Sequence, residues 1–351
     1  MKLLALPGDG IGPEIMAATL AVLRDACAVT GTPLELREAE IGFAALEATG
    51  TTLPDHVVEA ARGADGVILG PVSHNAYPPV HQGGLNPSGM LRKTLDLYAN
   101  IRPARSHPAV PTPTGRSVDM VIVRENLEGF YADRNMAQGP AEFMPVPGVA
   151  LSLRRITEAN SRAIAETGYA LARRRAAKRV AIIHKANVLR LSDGLFLETV
   201  RDVAKAFAEI ETEELLIDAA AALMVRDPGR FDVVIATNMY GDILSDLASE
   251  LAGGLGLAAS LNHGRDHAVA QAQHGSAPDL AGRNVANPAS LIGSAAMLLD
   301  HLGQDAPAAL IRRALDQALG SPATRTPDLG GRAGTSDMAR AMTTLIQQEA
   351  A

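Results

Sequence analysis

The stretch VVIATNMYGDILSD, residues 233 to 246, joins a strand-like apolar run to a helix that carries two carboxylates. Asp242 and Asp246 are four residues apart, so they share one helical face, where two like charges repel unless something positive lies between them. A solvated acidic face would tolerate such a pair. The position directly after a strand end favours instead an oxygen site for Mg²⁺ or Mn²⁺, to which Asp218 of LLIDAAAALMV could contribute.

Composition limits what the 351-residue chain can be. It is 47% hydrophobic and 20% charged, with a formal net charge of −7, so it predicts a globular protein with no electrostatic reason to bind nucleic acid. The sequence shows no apolar run long enough for a membrane span or a signal peptide, which predicts a cytoplasmic location. Its one cysteine, Cys27, lies in an apolar stretch and excludes an intramolecular disulfide.

Short β-branched runs alternate with helical periods along most of the chain. Each run ends in polar residues, as in GVILGPV, VDMVIVREN, RVAIIHKANV and FDVVIATN. This alternation predicts an α/β architecture with functional residues at the carboxyl ends of strands. The Pro-rich and polar stretches 104–115 and 134–149 lack periodicity, so we expect loops or an extended arm there.

The glycine-rich stretch GDGIG, residues 8 to 12, lies between a predicted strand and a predicted helix. Glycines at such a position allow phosphate to approach the backbone near a helix N-terminus. The spacing differs from the dinucleotide fingerprint GxGxxG, so a purely structural turn is an equally good interpretation.

Several cationic side chains follow predicted strands or flank a helix. Arg92, Arg102 and Arg124 suit a di- or tricarboxylate substrate, because each planar guanidinium can hold a carboxylate through two parallel hydrogen bonds. Lys185 of HKANV could accept a proton and Tyr131 of RENLEGFY could supply one. Surface arginines, a surface lysine and a core tyrosine are the alternatives that spacing alone leaves open.

Taken together, these segments resemble the β-decarboxylating dehydrogenases, the isocitrate and 3-isopropylmalate dehydrogenase family. The matching pieces occur in the family's order from residue 6 to residue 331, so the resemblance covers almost the whole chain. They are LPGDGIGPE, LRKTLDLYANIRP, VIVRENLEGFY, HKANVL, TNMYGDILSD, HGSAPDLAG followed by ANP, and TRTPDLGG.

The resemblance implies a role for each candidate residue. Arg92, Arg102 and Arg124 would grip the carboxylates of a malate. The cation would be held by Asp242 and Asp246 together with the partner subunit's Asp218. Lys185, also contributed across a homodimer with shared active sites, would take the hydroxyl proton, and Tyr131 would help to protonate the enol.

The resemblance also implies NAD as the cofactor. Asp279 stands where NAD-using relatives place an acidic residue against the adenosine ribose, and a carboxylate there would repel the 2′-phosphate of NADP. Asn187 would lie near the nicotinamide. The rest of the adenosine site would come from His274, Gly275, Ser276, Ala277 and Asn287.

The implied fold has two α/β domains that share one continuous twisted sheet, with the active site in the cleft between them. Residues 1–98 plus 250–351 would form the cofactor-binding domain, which contains both termini. Residues 99–249 would form the domain for substrate, metal and dimerisation, with an arm near 134–149.

The loop GGLNPSGM before Arg92 would select the malate substituent through Asn86, Ser88 and Met90, and it matches neither an apolar nor an acid-binding pattern cleanly. We rank 3-isopropylmalate or a related alkylmalate narrowly ahead of homoisocitrate, isocitrate and tartrate or malate. Elsewhere, notably in DLYANIRPARS and DGLFLETVRDVAK, the sequence most resembles the homoisocitrate/isopropylmalate branch of the family. Three residues before Arg92, Gly89 replaces the arginine that homoisocitrate enzymes can have there.

Two further departures concern the cofactor and metal segments. Gln271, Ala272 and Gln273 replace the Glu-Pro-Val of relatives, and Ala219 and Ala222 replace Asn and Met. A noncatalytic regulatory or binding paralogue, or an oxidoreductase that does not decarboxylate, therefore stays as an alternative.

Overall fold

A computed structural model describes residues 1–131, 136 and 139–349 of the chain. Its strands are β1 Lys2–Leu6, β2 Glu35–Glu38, β3 Gly66–Leu69, β4 Ala99–Arg105, β5 Asp119–Glu125, β6 Glu142–Val146, β7 Val149–Ser152, β8 Arg179–His184, β9 Glu211–Leu216, β10 Val233–Ala236, β11 Ala259–His263 and β12 Ala268–Ala272. Its α-helices are α1 Gly12–Val29, α2 Gly42–Thr49, α3 Asp55–Arg62, α4 Pro87–Thr94, α5 Glu158–Arg174, α6 Ser192–Ala204, α7 Ile217–Arg226, α8 Asn238–Ala252, α9 Ala289–His301, α10 Asp305–Leu319 and α11 Thr335–Gln348.

Ten strands form one continuous sheet in the order β2-β1-β3-β12-β11-β4-β5-β10-β8-β9. Pairing is parallel within the first four strands and within the last four, whereas the three central pairings, β12 with β11, β11 with β4 and β4 with β5, are antiparallel. The predicted α/β class and the single shared sheet are confirmed. Stretch 233–246 forms β10 and the start of α8, as its pattern predicts.

The hydrophobic core divides into clusters on the two halves of this sheet. One half packs α1, α9, α10 and α11 against β1, β3, β11 and β12, and the other packs α5, α6 and α8 against β5, β8 and β10. This division runs along the sequence much as the predicted domains do, although the domain limits themselves stay a prediction. Among the described helices, none is long and apolar enough to cross a membrane.

The predicted arm contains a separate hairpin of β6 and β7. Its strands expose apolar side chains to solvent, namely those of Phe143, Met144, Val146, Val149 and Leu151. Residues 134, 135, 137 and 138 of the predicted arm lie outside the described residues. The predicted loop 104–115 begins two residues late, because Ala104 and Arg105 still belong to β4 and pair with β5.

Protein backbone closes tightly around the glycine-rich turn. Gly8 and Gly10 have positive φ angles of 76° and 59°, and a Cβ on Gly10 would lie 2.0 Å from the carbonyl oxygen of Ser276. Asp9 accepts hydrogen bonds from the backbone N–H groups of Phe43 and Ser73, each at 2.8 Å. These contacts favour the structural interpretation of GDGIG, because only glycine fits such an approach of two backbones.

Candidate active site

A cavity of about 270 Å³ lies where the two halves of the sheet meet. It is lined by side chains from the loop after β3, from α4, from the central strands and from α8. Its lining includes Asn86, Ser88, Arg92, Arg102, Arg124, Tyr131, Asp242, Gln271, Gln273 and His274. The structure therefore brings together all three predicted arginines, the tyrosine and one of the predicted metal carboxylates.

Two buried guanidiniums dominate one wall of the cavity. The side chains of Arg102 and Arg124 are only 7% and 3% exposed. Asp242 Oδ1 accepts from Arg102 Nη1 at 3.1 Å and also from Arg124 Nη1. Burial, together with the charge of Arg124, lowers the pKa of Arg102 to about 10, so the Arg102 guanidinium remains cationic at neutral pH and requires an anion beside it.

Helix α8 can approach β5 closely because Gly241 has no side chain. A Cβ at Gly241 would lie 2.7 Å from Arg124 Cβ. The approach lets Asn238 Oδ1 accept from Arg124 Nη2 at 2.6 Å and from its Nε at 3.0 Å. The glycine of the MYGD segment therefore fixes where Asp242 stands relative to Arg124.

A row of buried amides crosses the central strands toward the other wall. Arg102 Nε donates to Asn100 Oδ1 at 2.8 Å, and Asn100 Nδ2 donates to Asn262 Oδ1 at 2.7 Å. Asn262 Nδ2 in turn lies 3.3 Å from Gln271 Oε1, which also accepts from Ser88 Oγ at 3.1 Å. The row connects the arginine pair to the loop that would select the substrate.

The two carboxylates of α8 suit a hard divalent cation in their chemistry. Asp242 Oδ2 lies 3.4 Å from the Tyr131 hydroxyl at the cavity, and Asp246 is 57% exposed on the same helical face. Carboxylate oxygens are the ligands that Mg²⁺ and Mn²⁺ prefer. Within the described part of this chain, no three His, Cys, Asp or Glu side chains converge as a metal site, so two carboxylates are what one chain supplies.

Lys185 and Asp218 do not line the cavity of their own chain. Lys185 follows β8 and forms an ion pair with Asp218 in the first turn of α7, and this hydrogen bond lowers the pKa of the Asp218 carboxyl. Neither belongs to the described residues that line the cavity. The exposed apolar side chains of Val188 and Leu191, the latter 90% exposed, lie close by in the sequence.

The loop before Arg92 forms the start of α4. Asn86 caps this helix by accepting from the Gly89 N–H at 3.2 Å, and Ser88 is directed to Gln271. Both side chains line the cavity, whereas Met90 is partly exposed and does not belong to its described lining.

The segment after β12 contains most of the predicted cofactor residues. Burial lowers the pKa of His274, and its Nδ1 lies 3.0 Å from the carbonyl oxygen of Gly275. His274 Nε2 is buried and has no hydrogen-bond partner among the described residues. A neutral imidazole that donates through Nδ1 offers an acceptor at Nε2, which fits a hydroxyl or amino group of a bound nucleotide.

The remaining cofactor candidates differ in exposure. Asp279 is exposed next to this segment, and Ser276 shares a hydrogen bond with Ser73 at 2.8 Å. Asn287 is buried and donates to Asp328 at 2.9 Å. Asn187 is exposed, two residues after Lys185, and is not among the residues that line the cavity.

Some residues of the site escaped the sequence analysis. Asn100 and Asn262 are fully buried polar residues inside strands β4 and β11, and a polar residue within a strand is the signal that could have identified them. Glu125 is another, because its buried carboxylate accepts from the N–H groups of Leu127 and Glu128 at 2.8 and 2.9 Å and so shapes the RENLEG turn beside Arg124.

Comparison with known proteins agrees with this architecture. A sequence model of the family described as "Isocitrate/isopropylmalate dehydrogenase" matches residues 2–342, and the chain belongs to that family. It is 42% identical over 342 residues to an isocitrate/homoisocitrate dehydrogenase of Thermus thermophilus, covering 97% of each chain. It is 38% identical over 339 residues to a 3-isopropylmalate dehydrogenase of Methanothermobacter thermautotrophicus, covering 97% of this chain and 96% of the relative.

A solved structure is equally similar. The crystal structure of isocitrate dehydrogenase from Methylococcus capsulatus superposes with a TM-score of 0.89 at 39% identity and covers 99% of both chains. Family and relatives together show that this protein is an oxidoreductase of the decarboxylating dehydrogenase class, which acts on small molecules.

Glu125 should make stability depend on pH. Burial raises its pKa from 4.5 to about 7, so the folded state binds more protons than the unfolded state between those values. Its contribution to the free energy of unfolding should therefore fall by roughly 3 kcal/mol as pH rises through that window. Urea unfolding of wild type and Glu125→Gln at several pH values between about 5 and 8 measures this, and parallel profiles would contradict the assignment.

Proposed function

We propose that the protein catalyses the oxidative decarboxylation of a 3-substituted (2R)-malate to a 2-oxo acid and CO₂, with NAD and Mg²⁺ or Mn²⁺ as cofactors. The observation that carries the proposal is the convergence of Arg92, Arg102 and Arg124 in one cavity with Asp242. Three guanidiniums suit a ligand with at least two carboxylates, and the carboxylate of α8 suits the cation that such a ligand can share.

Each residue has a role that its chemistry supports. The arginines hold the malate carboxylates and orient C2 and C3. Lys185 of the partner subunit accepts the proton of the C2 hydroxyl, and Tyr131 delivers a proton to C3 once CO₂ has left. When bound, the nicotinamide accepts hydride and the cation polarises the C2 carbonyl as a Lewis acid.

The lining of the cavity favours an acidic substituent at C3. Asn86, Ser88 and Gln271 are polar, and they occupy the side of the cavity next to Arg92. An alkyl group there would displace water from this polar surface without offering a hydrogen bond in return. Homoisocitrate and isocitrate therefore rank ahead of 3-isopropylmalate and other alkylmalates, which reverses the order that the sequence suggested.

A homodimer with shared sites is part of the proposal. It is supported by Lys185 and Asp218, which pair with each other and are not among the residues that line the cavity of their own chain. It is supported also by the exposed apolar side chains of Leu191 and Ile243, and by those of the β6–β7 hairpin, since a partner would cover such surfaces. The cytoplasmic location stays a prediction from the sequence.

Turnover on a panel of malates tests the function directly. The purified protein should reduce NAD with homoisocitrate or isocitrate when Mn²⁺ is present, release CO₂ in equal amount, and lose the activity with chelator because the carbonyl is no longer polarised. NADH absorbance and CO₂ release are the measurements, and tartrate, D-malate and 3-isopropylmalate complete the panel. Reduction without CO₂ would indicate a plain dehydrogenase. A folded protein that is inactive on every member would favour the noncatalytic paralogue.

Asp279 should decide between NAD and NADP. Its exposed carboxylate would accept from ribose hydroxyls and repel a 2′-phosphate, so Asp279→Lys should shift the ratio of kcat/KM toward NADP by about 100-fold. Asp266→Lys, which makes the same charge change at another exposed position, is the control. A ratio that is equal in wild type and Asp279→Lys would show that another residue reads the ribose.

Complementation between inactive variants tests the shared site. Lys185→Met should lower kcat by about 10²–10⁴-fold through loss of the proton acceptor, and Asp242→Asn should remove a ligand of the cation. If each site takes Lys185 from one subunit and Asp242 from the other, equal mixing with subunit exchange should restore about a quarter of wild-type activity. Exchange verified by mass spectrometry with no recovered activity would place both residues in one chain's site.

A further inference from the structure

Gln273 joins the end of β12 to helix α8 through its side-chain amide. Its Nε2 donates to Asp246 Oδ1 at 2.7 Å and to Ser249 Oγ at 3.2 Å. The residue lines the cavity and directly precedes His274. A single side chain therefore connects the segment of predicted cofactor residues to a predicted metal carboxylate.

The chemistry of the partner fixes the orientation of this amide. An ionised carboxylate only accepts hydrogen bonds, so the NH₂ group must face Asp246 and the oxygen must point away. Gln273 Oε1 is buried and has no hydrogen-bond partner among the described residues. A buried acceptor without a partner is unfavourable and calls for an explanation. An apolar side chain of similar length would avoid the cost of the unpartnered oxygen. The hydrogen bond that the Gln273 amide donates to Asp246 is the interaction that such a side chain would lose.

Asp246 is a carboxylate that needs to be held. It is 57% exposed, and its charged contact within the described chain is Arg102 at 3.7 Å. An exposed aspartate samples several rotamers, of which only some direct its oxygens toward a ligand shared with Asp242. A neutral donor can fix the rotamer and leave the full negative charge in place, and a bond at Oδ1 leaves Oδ2 for another ligand.

We propose that Gln273 is a positioning residue that holds Asp246 in the orientation that ligates the divalent cation. The inference rests on the proposed function, which assigns the cation to Asp242 and Asp246. Partners that orient metal ligands typically contribute 10–100-fold to metal affinity. Gln273, which stands where relatives have Val, would therefore affect the binding of the cation as well as the cofactor segment in which it lies.

Binding of Mn²⁺ alone provides the test. The dissociation constant is measured by electron paramagnetic resonance on the whole protein, without substrate or cofactor. Gln273→Met keeps the length of the side chain and loses the hydrogen-bond donor, so it should raise the dissociation constant for Mn²⁺ about 10–100-fold. Gln273→Val should have the same effect. The matched control is Gln347→Met, which removes a similar surface hydrogen bond, from Gln347 Nε2 to Asp25 Oδ2 at 2.9 Å. This variant should leave the dissociation constant for Mn²⁺ unchanged.

Affinity for NAD, measured by calorimetry on the same variants, separates positioning from local collapse. We expect it to stay within a few-fold of wild type in Gln273→Met, because the backbone of the segment is untouched. Unchanged Mn²⁺ binding, or a parallel loss of NAD binding, would overturn the inference. A wild type that binds no Mn²⁺ would overturn the proposed cation site itself, and with it the role of Gln273.

Discussion

The repulsion between two buried guanidiniums is the constraint on which the rest of the site depends. Arg102 and Arg124 stand on adjacent antiparallel strands, and burial deprives both of the water that would screen their charges. Asp242 of α8 accepts from both guanidiniums, and neutral side chains accept from further N–H groups of the pair, namely those of Asn100, Asn238 and Ser245. Two carboxylates, Asp242 and the more exposed Asp246 at 3.7 Å from Arg102, therefore face the pair, and Arg92 adds a third guanidinium to the cavity.

The same constraint explains the polar row through the middle of the sheet. A guanidinium contains only hydrogen-bond donors, so Arg102 Nε must donate and Asn100 must direct its side-chain oxygen toward it. Asn100 then has only its NH₂ group for Asn262, which in turn has only its NH₂ group for Gln271. The direction of every amide therefore follows from the arginine, and Gln271 Oε1 faces inward, where Ser88 also donates to it. Arg102 on one wall of the cavity thus determines that Gln271, on the opposite wall, directs its oxygen into the amide row and has its NH₂ group left for other partners.

The sequence was sufficient to predict the α/β class, the arginines and the carboxylates of α8, because each has its signal within a short segment. The single shared sheet was expected only from the resemblance. Strand runs that end in Arg124 or precede Asp242 carry their own signal, and the resemblance supplies the order of the segments. The contacts of the amide row could not be predicted in the same way, because Asn100 and Asn262 are far apart in the chain and meet only through the register of β4 and β11. Gln271 and Gln273 were visible as departures from relatives, but their partners were not.

The position of Lys185 illustrates a different limit. Its segment was recognised, yet no periodicity can say which chain's cavity a side chain serves, since that depends on packing between subunits. Contacts in the structure relate the Lys185 segment to helix α8. Strands β8 and β10 are parallel, so Lys185 and Thr237, which follow them, lie at the same end of the sheet. Arg154 ties the two loops together by donating to Thr237 Oγ1 at 3.1 Å and to Asp193, which also accepts from the Lys185 N–H at 2.5 Å. The segment that would serve a partner's site is thereby anchored to Thr237, the N-cap residue at the start of α8, and α8 carries Asp242.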